Sequence, residues 1–209
     1  MTEIFYDAAG ILLTVLVVFL LFELLYWTVR IIADGVLKRF ARRNSLHFVP
    51  GKRRLFLYDL PGKVYGEWNG YKTEITYSYL SFGYKRVDAG SIRIYLWAEN
   101  PQKGNLRIYK TSTVSKDKRR SYFGDEWDEK ISVESHPAAF GRTVLASLQL
   151  KEAIDESQRW TSPVPEFISI HTDGQISVSQ RHTMLTSRRI STLLNIAKEL
   201  AIATQGYNP

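Results

Sequence analysis

A long uncharged apolar run near the N-terminus dominates the hydropathy pattern. No charged residue occurs between Ala8 and Phe22, and apolar residues continue after Glu23 as far as Ile32. A helix rises about 1.5 Å per residue, so roughly 20 residues cross a hydrocarbon layer of about 30 Å. The pattern therefore predicts a transmembrane helix over residues 10–32, after a short tail over residues 1–9.

Two other structures also produce such a run: the buried helix of a soluble core and a cleaved signal peptide. A signal peptide normally begins with basic residues and ends at small ones. Here Glu3 and Asp7 precede the run without any Lys or Arg, and the bulky residues Tyr26 and Trp27 lie near its end. We therefore expect the helix to remain in the mature protein.

Positive charge lies on one side of the predicted span. No basic residue precedes the span, and five follow it or lie at its end: Arg30, Lys38, Arg39, Arg42 and Arg43. By the positive-inside rule, the N-terminus faces outward and the C-terminal domain lies in the cytoplasm. The predicted location is the inner, cytoplasmic membrane, which the chain crosses once.

Glu23, Trp27 and Arg30 occupy the inner end of the span. Trp27 lies where an interfacial aromatic belt is expected. A carboxylate within a span usually points to a partner or to water, so Glu23 is a candidate contact for a partner helix. Alternatively, Glu23 reaches the inner interface or pairs with Arg30, which follows on the same helical face.

We expect the helix to continue over residues 33–44 as a basic juxtamembrane segment. Leu37 and Phe40 lie on its apolar side, and Gly35 offers a point for a bend. Its basic side would lie against anionic headgroups, where each cation contributes about 1 kcal/mol. The predicted membrane-surface residues are Lys38, Arg39, Arg42 and Arg43.

Residues 45–209 predict an α+β domain whose first half consists of strands. From Tyr71 to Tyr79, aromatic and apolar residues alternate with polar ones, which is typical of a strand. Asn69-Gly70 favours a two-residue hairpin turn, because both residues tolerate positive φ. The strands predict an antiparallel meander and cover residues 46–49, 54–58, 63–68, 71–79, 91–98 and 106–110.

The second half of the domain adds helices. A strand over residues 130–134 precedes an amphipathic helix that starts near Pro137 and extends to Ile154. After a hairpin around Asp173-Gly174, a last amphipathic helix covers residues 186–204. Strands first and helices later favour an antiparallel sheet covered by two amphipathic helices over a parallel, doubly wound sheet.

Several kinds of chemistry are excluded by the residues present. The chain has no cysteine, which rules out a disulfide scaffold, a thiolate zinc site and a cysteine nucleophile. The signatures of phosphate-binding loops, dinucleotide folds, zincins and serine hydrolases are absent. We therefore predict no catalytic residue, no cofactor and no metal site. The histidines lack the spacing that puts two imidazoles on one helical face: His47, His136, His171 and His182.

Two predicted strands alternate apolar residues with aromatic and basic ones. Arg93, Tyr95 and Trp97 share one face of the first strand, and Arg107 and Tyr109 share one face of the next. Three covers fit this face: the C-terminal helix of the domain, a partner protein, or single-stranded nucleic acid. Tyr, Trp and Arg are common anchors of protein interfaces, and aromatic rings also stack on bases. The net charge of +6 over residues 45–209 is modest and disfavours nucleic acid.

An acidic stretch carries a family resemblance. Gly124-Asp125-Glu126-Trp127-Asp128 precedes a strand, Pro137 and an amphipathic helix, with Gly66 and Gly70 upstream. The stretch either forms a divalent-metal cluster or, as its lack of calcium-loop spacing favours, a solvated turn. Together with the N-terminal anchor, it resembles bacterial single-pass membrane proteins that carry a G-D-x-x-[FW]-D motif in a cytoplasmic α+β domain. The resemblance implies a bacterial, anchored protein and supplies no catalytic residue.

These patterns favour a non-enzymatic interaction or assembly subunit of a larger inner-membrane complex. Its expected partners are the lipid bilayer and other membrane proteins of the complex. Two alternatives remain: a membrane-tethered enzyme with a carboxylate or histidine pocket, and a module that binds anionic lipid or nucleic acid. No small-molecule substrate is indicated by the sequence.

Overall fold

The computed structural model describes residues 2–54, 58–60, 62–83, 86–110, 131–161, 167–181 and 184–206. These residues form four helices and ten strands. The helices are α1 Thr2–Arg43, α2 Ala138–Leu145, α3 Leu148–Thr161 and α4 Ser187–Gln205. The strands are β1 His47–Val49, β2 Lys52–Arg54, β3 Tyr58–Leu60, β4 Gly62–Trp68, β5 Tyr71–Gly83, β6 Arg86–Trp97, β7 Asn105–Lys110, β8 Ile131–His136, β9 Phe167–Ile170 and β10 Gln175–Arg181. The fold is α+β, as predicted.

Eight strands pair into one antiparallel sheet, in the order β1-β4-β5-β6-β10-β9-β7-β8, and β2 pairs with β3 apart from it. The predicted meander holds for β4, β5 and β6. Asn69 and Gly70 connect β4 to β5 with φ angles of 51° and 81°, which is the two-residue turn expected from the sequence.

Strand β7 does not lie beside β6, contrary to the expected meander. The β9–β10 hairpin lies between them, because β10 pairs with β6 and β9 pairs with β7. Asn100 lies in the loop between β6 and β7. Its Nδ2 donates to the carbonyl oxygens of Gly104 at 2.8 Å and of His171 at 3.0 Å. The Asn100 side chain thus joins the β6–β7 loop to the end of β9.

One face of the sheet forms the core. An unbroken row of apolar side chains crosses all eight strands on this face, and α1, α2 and α4 lie against it, with α3 packed on α4. The apolar stripe of α4 includes Ile190, Leu194 and Leu200, all fully buried. The row across the strands consists of Phe48, Val64, Ile75, Ile94, Val178, Ile168, Ile108 and Val133.

The helix predicted to run from Pro137 to Ile154 is two helices. Helix α2 ends at Leu145, and Ser147 starts α3 by accepting a hydrogen bond from the Leu150 backbone N–H at 3.3 Å. Three helices therefore follow the first eight strands, where the sequence predicted two.

Helix α1 has two unlike halves. From Ile11 to Phe22 its large apolar side chains are 46–74% exposed, whereas Leu37 and Phe40 are buried in the domain core. By length and composition, α1 is the one helix among the described residues that can cross a membrane. The helix is uninterrupted at Gly35. The apolar side of residues 33–44 packs against the sheet, so this part of α1 belongs to the core of the domain.

Candidate interaction surface

The second face of the eight-stranded sheet carries polar and aromatic side chains and is called the open face here. Because side chains alternate along a strand, every second residue of the core-forming strands points to it. None of the described helices lies on it. One row across the open face consists of His47, Tyr65, Glu74, Tyr95, Ser177, Ser169, Arg107 and Glu134.

Aromatic rings form two ridges on the open face. On β6, the Tyr95 and Trp97 rings lie 6.4 Å apart between centroids, and Lys72 Nζ lies 4.9 Å from the Trp97 ring centre. On the other side of the face, the ring of Tyr109 on β7 lies 5.3 Å from the ring of Phe167 at the start of β9. Strands are about 4.8 Å apart, so β6 and β7 are separated by about 14 Å. The ridges therefore flank a strip that is two strands wide.

Small hydroxyl side chains fill the strip between the ridges. Ser169 Oγ lies 2.8 Å from Ser177 Oγ and 3.1 Å from His171 Nε2. A serine beside an imidazole is a familiar nucleophile arrangement. Here Ser169 is fully buried, so a substrate does not reach its hydroxyl in this structure. The pair acts as a satisfied polar contact within the sheet.

A shallow depression of about 440 Å³ lies on the open face over β4, β5 and β6. Its walls include Tyr65, Lys72 and Trp97. Lys63 Nζ forms an ion pair with Glu74 Oε2 at 2.6 Å along one side, with both groups partly exposed. The depression combines aromatic surface with charged groups of both signs, which suits the side chains of a protein partner.

Five residues selected from the sequence come together on the open face: Arg93, Tyr95, Trp97, Arg107 and Tyr109. Arg93 and Arg107 are exposed, and the three aromatic residues are half-buried. The alternative of burial beneath the C-terminal helix is wrong, because α4 packs on the opposite face. The expectation that the two strands are neighbours is also wrong, because β9 and β10 separate them.

Tyr65 and Phe167 belong to the same surface and were missed at the level of sequence. Tyr65 is 41% exposed and stacks near His47, with ring centroids 5.4 Å apart. The alternation of Lys63, Tyr65 and Glu67 on β4 was the available signal. Phe167 had no such signal, because its place beside Tyr109 depends on which strands pair.

A second cluster joins α1 to the domain at the inner end of the predicted span. The Arg30 guanidinium lies 5.3 Å from the Trp27 ring centre and 3.9 Å from Asp34 Oδ2. It also donates a hydrogen bond to the Gly51 carbonyl oxygen. Arg30 therefore ties the helix to the segment between β1 and β2. Glu23 is half-buried and lies on the same helix, nearer the N-terminus.

The basic residues of the juxtamembrane segment are exposed along α1: Lys38, Arg39, Arg42 and Arg43. At about 1.5 Å per residue, Lys38 lies about 12 Å and Arg43 about 20 Å beyond Arg30 along the axis. The four basic residues therefore lie beyond the exposed apolar half of the helix, on the side of the sheet domain.

Other candidate chemistry is sparse. In the described part of the chain, no three His, Asp or Glu side chains are close enough to hold a metal ion. Burial raises the pKa of the Tyr77 phenol on the core face, and the nearby Arg189 charge opposes this shift. His182 and the stretch from Gly124 to Asp128 lie outside the described residues. That stretch is also one residue shorter than the pattern G-D-x-x-[FW]-D.

Comparison of the sequence with protein-family models and with curated proteins finds no match. Among solved structures, the crystal structure of the mycobacterial trehalose monomycolate transport factor A, TtfA, has a similar fold. The TM-score is 0.56 at 9% sequence identity, and the match covers 85% of this chain and 97% of that chain. At this identity the likeness concerns the fold alone.

Proposed function

We propose that the protein is a non-enzymatic, membrane-anchored subunit of an inner-membrane transport or assembly complex. Helix α1 crosses the membrane once, with its N-terminus outside and the sheet domain in the cytoplasm. The open face binds another protein of the complex.

The observation that carries this proposal concerns the part of the chain that the structure describes, in which helices cover one face of the sheet and none lies on the other. Apolar rows and helices occupy one face, while the other presents Tyr95, Trp97 and Tyr109 beside Arg93 and Arg107. Among the described residues, neither arginine forms an ion pair or a hydrogen bond through its side chain. Exposed arginines beside half-buried aromatic rings are the usual anchors of a protein interface.

The fold neighbour gives this proposal its biological setting. TtfA is named as a transport factor for trehalose monomycolate. We extend to this chain only the general role of a subunit in membrane-associated transport or assembly. The substrate in its name is not carried over, because nothing on the open face identifies that molecule.

Photo-crosslinking in native membranes tests the proposal. A benzoylphenylalanine side chain replaces Tyr95 on the open face, and a second variant carries it at Glu152, which is exposed on α3. We expect a discrete crosslinked protein at Tyr95 that is absent at Glu152. Equal labelling at both positions, or none at Tyr95 in a folded protein, would contradict the proposal.

A pair of arginine variants adds an energetic test. Arg93→Ala with Arg107→Ala should strongly reduce recovery of the complex, because interface anchors commonly contribute about 2 kcal/mol or more each, which is roughly a thirtyfold loss of affinity per residue. Arg142→Ala, on the exposed side of α2, is the matched control and should leave recovery unchanged. Unchanged recovery in the double variant would show that the partner binds elsewhere.

A further inference from the structure

The path of the chain after α1 brings it back toward the membrane. Helix α1 ends at Arg43, and Ser45 reverses the chain with a φ of 55°. Strand β1 then leads to Gly51, whose carbonyl oxygen accepts the hydrogen bond from Arg30. Arg30 precedes Arg43 by about 20 Å along the helix axis. The segment from Ser45 to Gly51 therefore runs back along α1 by nearly that distance.

Gly51 lies at the level where the exposed apolar surface of α1 ends. Ile31 and Ile32 are 65% and 51% exposed, whereas Ala33, the next residue, is 2% exposed. If α1 crosses the bilayer, as proposed above, this boundary is the inner membrane surface. The β2–β3 hairpin starts directly after Gly51, so its base lies at that surface.

The strand at this position is wholly basic. Strand β2 consists of Lys52, Arg53 and Arg54, it pairs with β3 in the register Lys52 to Leu60, and Lys52 is exposed. Basic segments beside a span are attracted by anionic headgroups. At physiological ionic strength this attraction falls off over about 8 Å. Arg42 and Arg43 lie about 18–20 Å beyond Arg30 on α1, which puts them outside that range.

We propose that strand β2 is a second membrane contact, which lies on an anionic lipid surface beside the span. This inference rests on the proposed membrane anchoring of α1. One helix alone leaves the domain free to rotate about the helix axis. A second contact removes that rotation and sets the direction in which the open face points.

Depth measurements on the full chain test the contact. The chain has no cysteine, so single cysteines can be introduced and spin-labelled at Lys52→Cys, Arg42→Cys and Val17→Cys. The variants are placed in nanodiscs of phosphatidylcholine, alone or mixed with phosphatidylglycerol. Collision rates with oxygen and with a water-soluble nickel chelate then report the depth of each label.

We expect the label at position 17 to collide mainly with oxygen and the label at position 42 to collide mainly with the nickel chelate. The label at position 52 should be shielded from the chelate in the anionic discs. A Lys52 label as open to nickel as Arg42 would overturn the inference. A Val17 label open to nickel would instead show that α1 does not span the bilayer, so the two failures are distinguishable.

Charge reversal tests the chemistry of the surface. With the label kept at Lys52, Arg53→Glu with Arg54→Glu should abolish the effect of phosphatidylglycerol. Each cation removed near the surface weakens the attraction about fivefold. Lys103→Glu with Arg142→Glu makes the same change in charge near the opposite edge of the sheet and should leave the Lys52 label shielded. Equal effects of the two pairs would exclude a specific role for β2.

Discussion

The two faces of the eight-stranded sheet come from the same strands and do different things. On β6, Ile92, Ile94 and Leu96 are fully buried, while Arg93 between them is exposed. An apolar row crosses the core face in every strand, and helices of the same chain bury it. The open face mixes aromatic and charged groups, and this composition suits a surface that must stay soluble until a partner covers it.

This contrast teaches that alternation alone does not reveal what covers a face. The open face carries half-buried aromatic rings, and it also carries exposed charges that keep it hydrated. Substitutions at neighbouring positions of one strand should therefore separate folding from binding.

The largest expected effect comes from the core face. Ile94→Ala should lower the free energy of unfolding by about 2–5 kcal/mol, because it removes buried methylene groups and leaves a cavity. Arg93→Ala, one residue away on the open face, should change it by no more than about 0.5 kcal/mol. Urea denaturation of the detergent-solubilised chain, followed by circular dichroism, measures both. Similar losses in the two variants would mean that the open face is also part of the folding core.

The hydrogen bonds of the Asn100 side chain should have the second largest effect on the free energy of unfolding. Asn100→Ala should cost about 1–3 kcal/mol, because the carbonyl groups of Gly104 and His171 lose their donor. The same denaturation measurement applies. Gln102→Ala, exposed in the same loop, is the control and should be neutral. An equally small effect at both positions would show that strand pairing alone holds the β9–β10 hairpin in place.

A smaller effect appears at high pH. Burial raises the pKa of Tyr77, so the folded state keeps its proton where the unfolded state has lost it. The contribution of Tyr77 is fully present below pH 10, the ordinary tyrosine value, and is lost as pH rises through the higher folded pKa. We therefore expect the unfolding free energy of the parent to fall more steeply above pH 10 than that of Tyr77→Phe. Parallel curves from denaturation at several pH values would contradict this.

The smallest expected effect belongs to the open face. A double-mutant cycle of Lys63→Ala and Glu74→Ala should give a coupling of about 0.2–1 kcal/mol, since exposed ion pairs are weak. The coupling should shrink further in high salt. A larger and salt-insensitive value would indicate that the pair is shielded, which would weaken the distinction between the two faces.

The local parts of this fold were predictable from sequence. The alternation in β5, the Asn69-Gly70 turn and the apolar stripe of α4 are short-range patterns, and the structure contains all three. The start of α2 after Pro137 was also evident. These features depend on residues close together in the chain, so backbone preferences and periodicity determine them.

The long-range parts were not predictable. The position of β7 depends on the pairing of β10 with β6 and of β9 with β7, and these strands are far apart in sequence. An apolar stripe around Leu37 and Phe40 fits a membrane surface and a sheet equally well, and only the fold shows that the sheet covers it. The five residues selected for the candidate surface do share one face of the sheet, but the distance between their two strands could be found only from the order of the strands.

If α1 crosses a bilayer, as proposed above, its unbroken course lets the helix and the sheet domain move together as a lever. The sheet extends from β1, next to the helix, to β8, seven strand spacings or about 34 Å away. Spans commonly tilt by about 20° from the bilayer normal, and a rotation of that size would carry the far strand through about 12 Å. On that premise, a helix that tilts α1 within the bilayer would reposition the whole sheet domain.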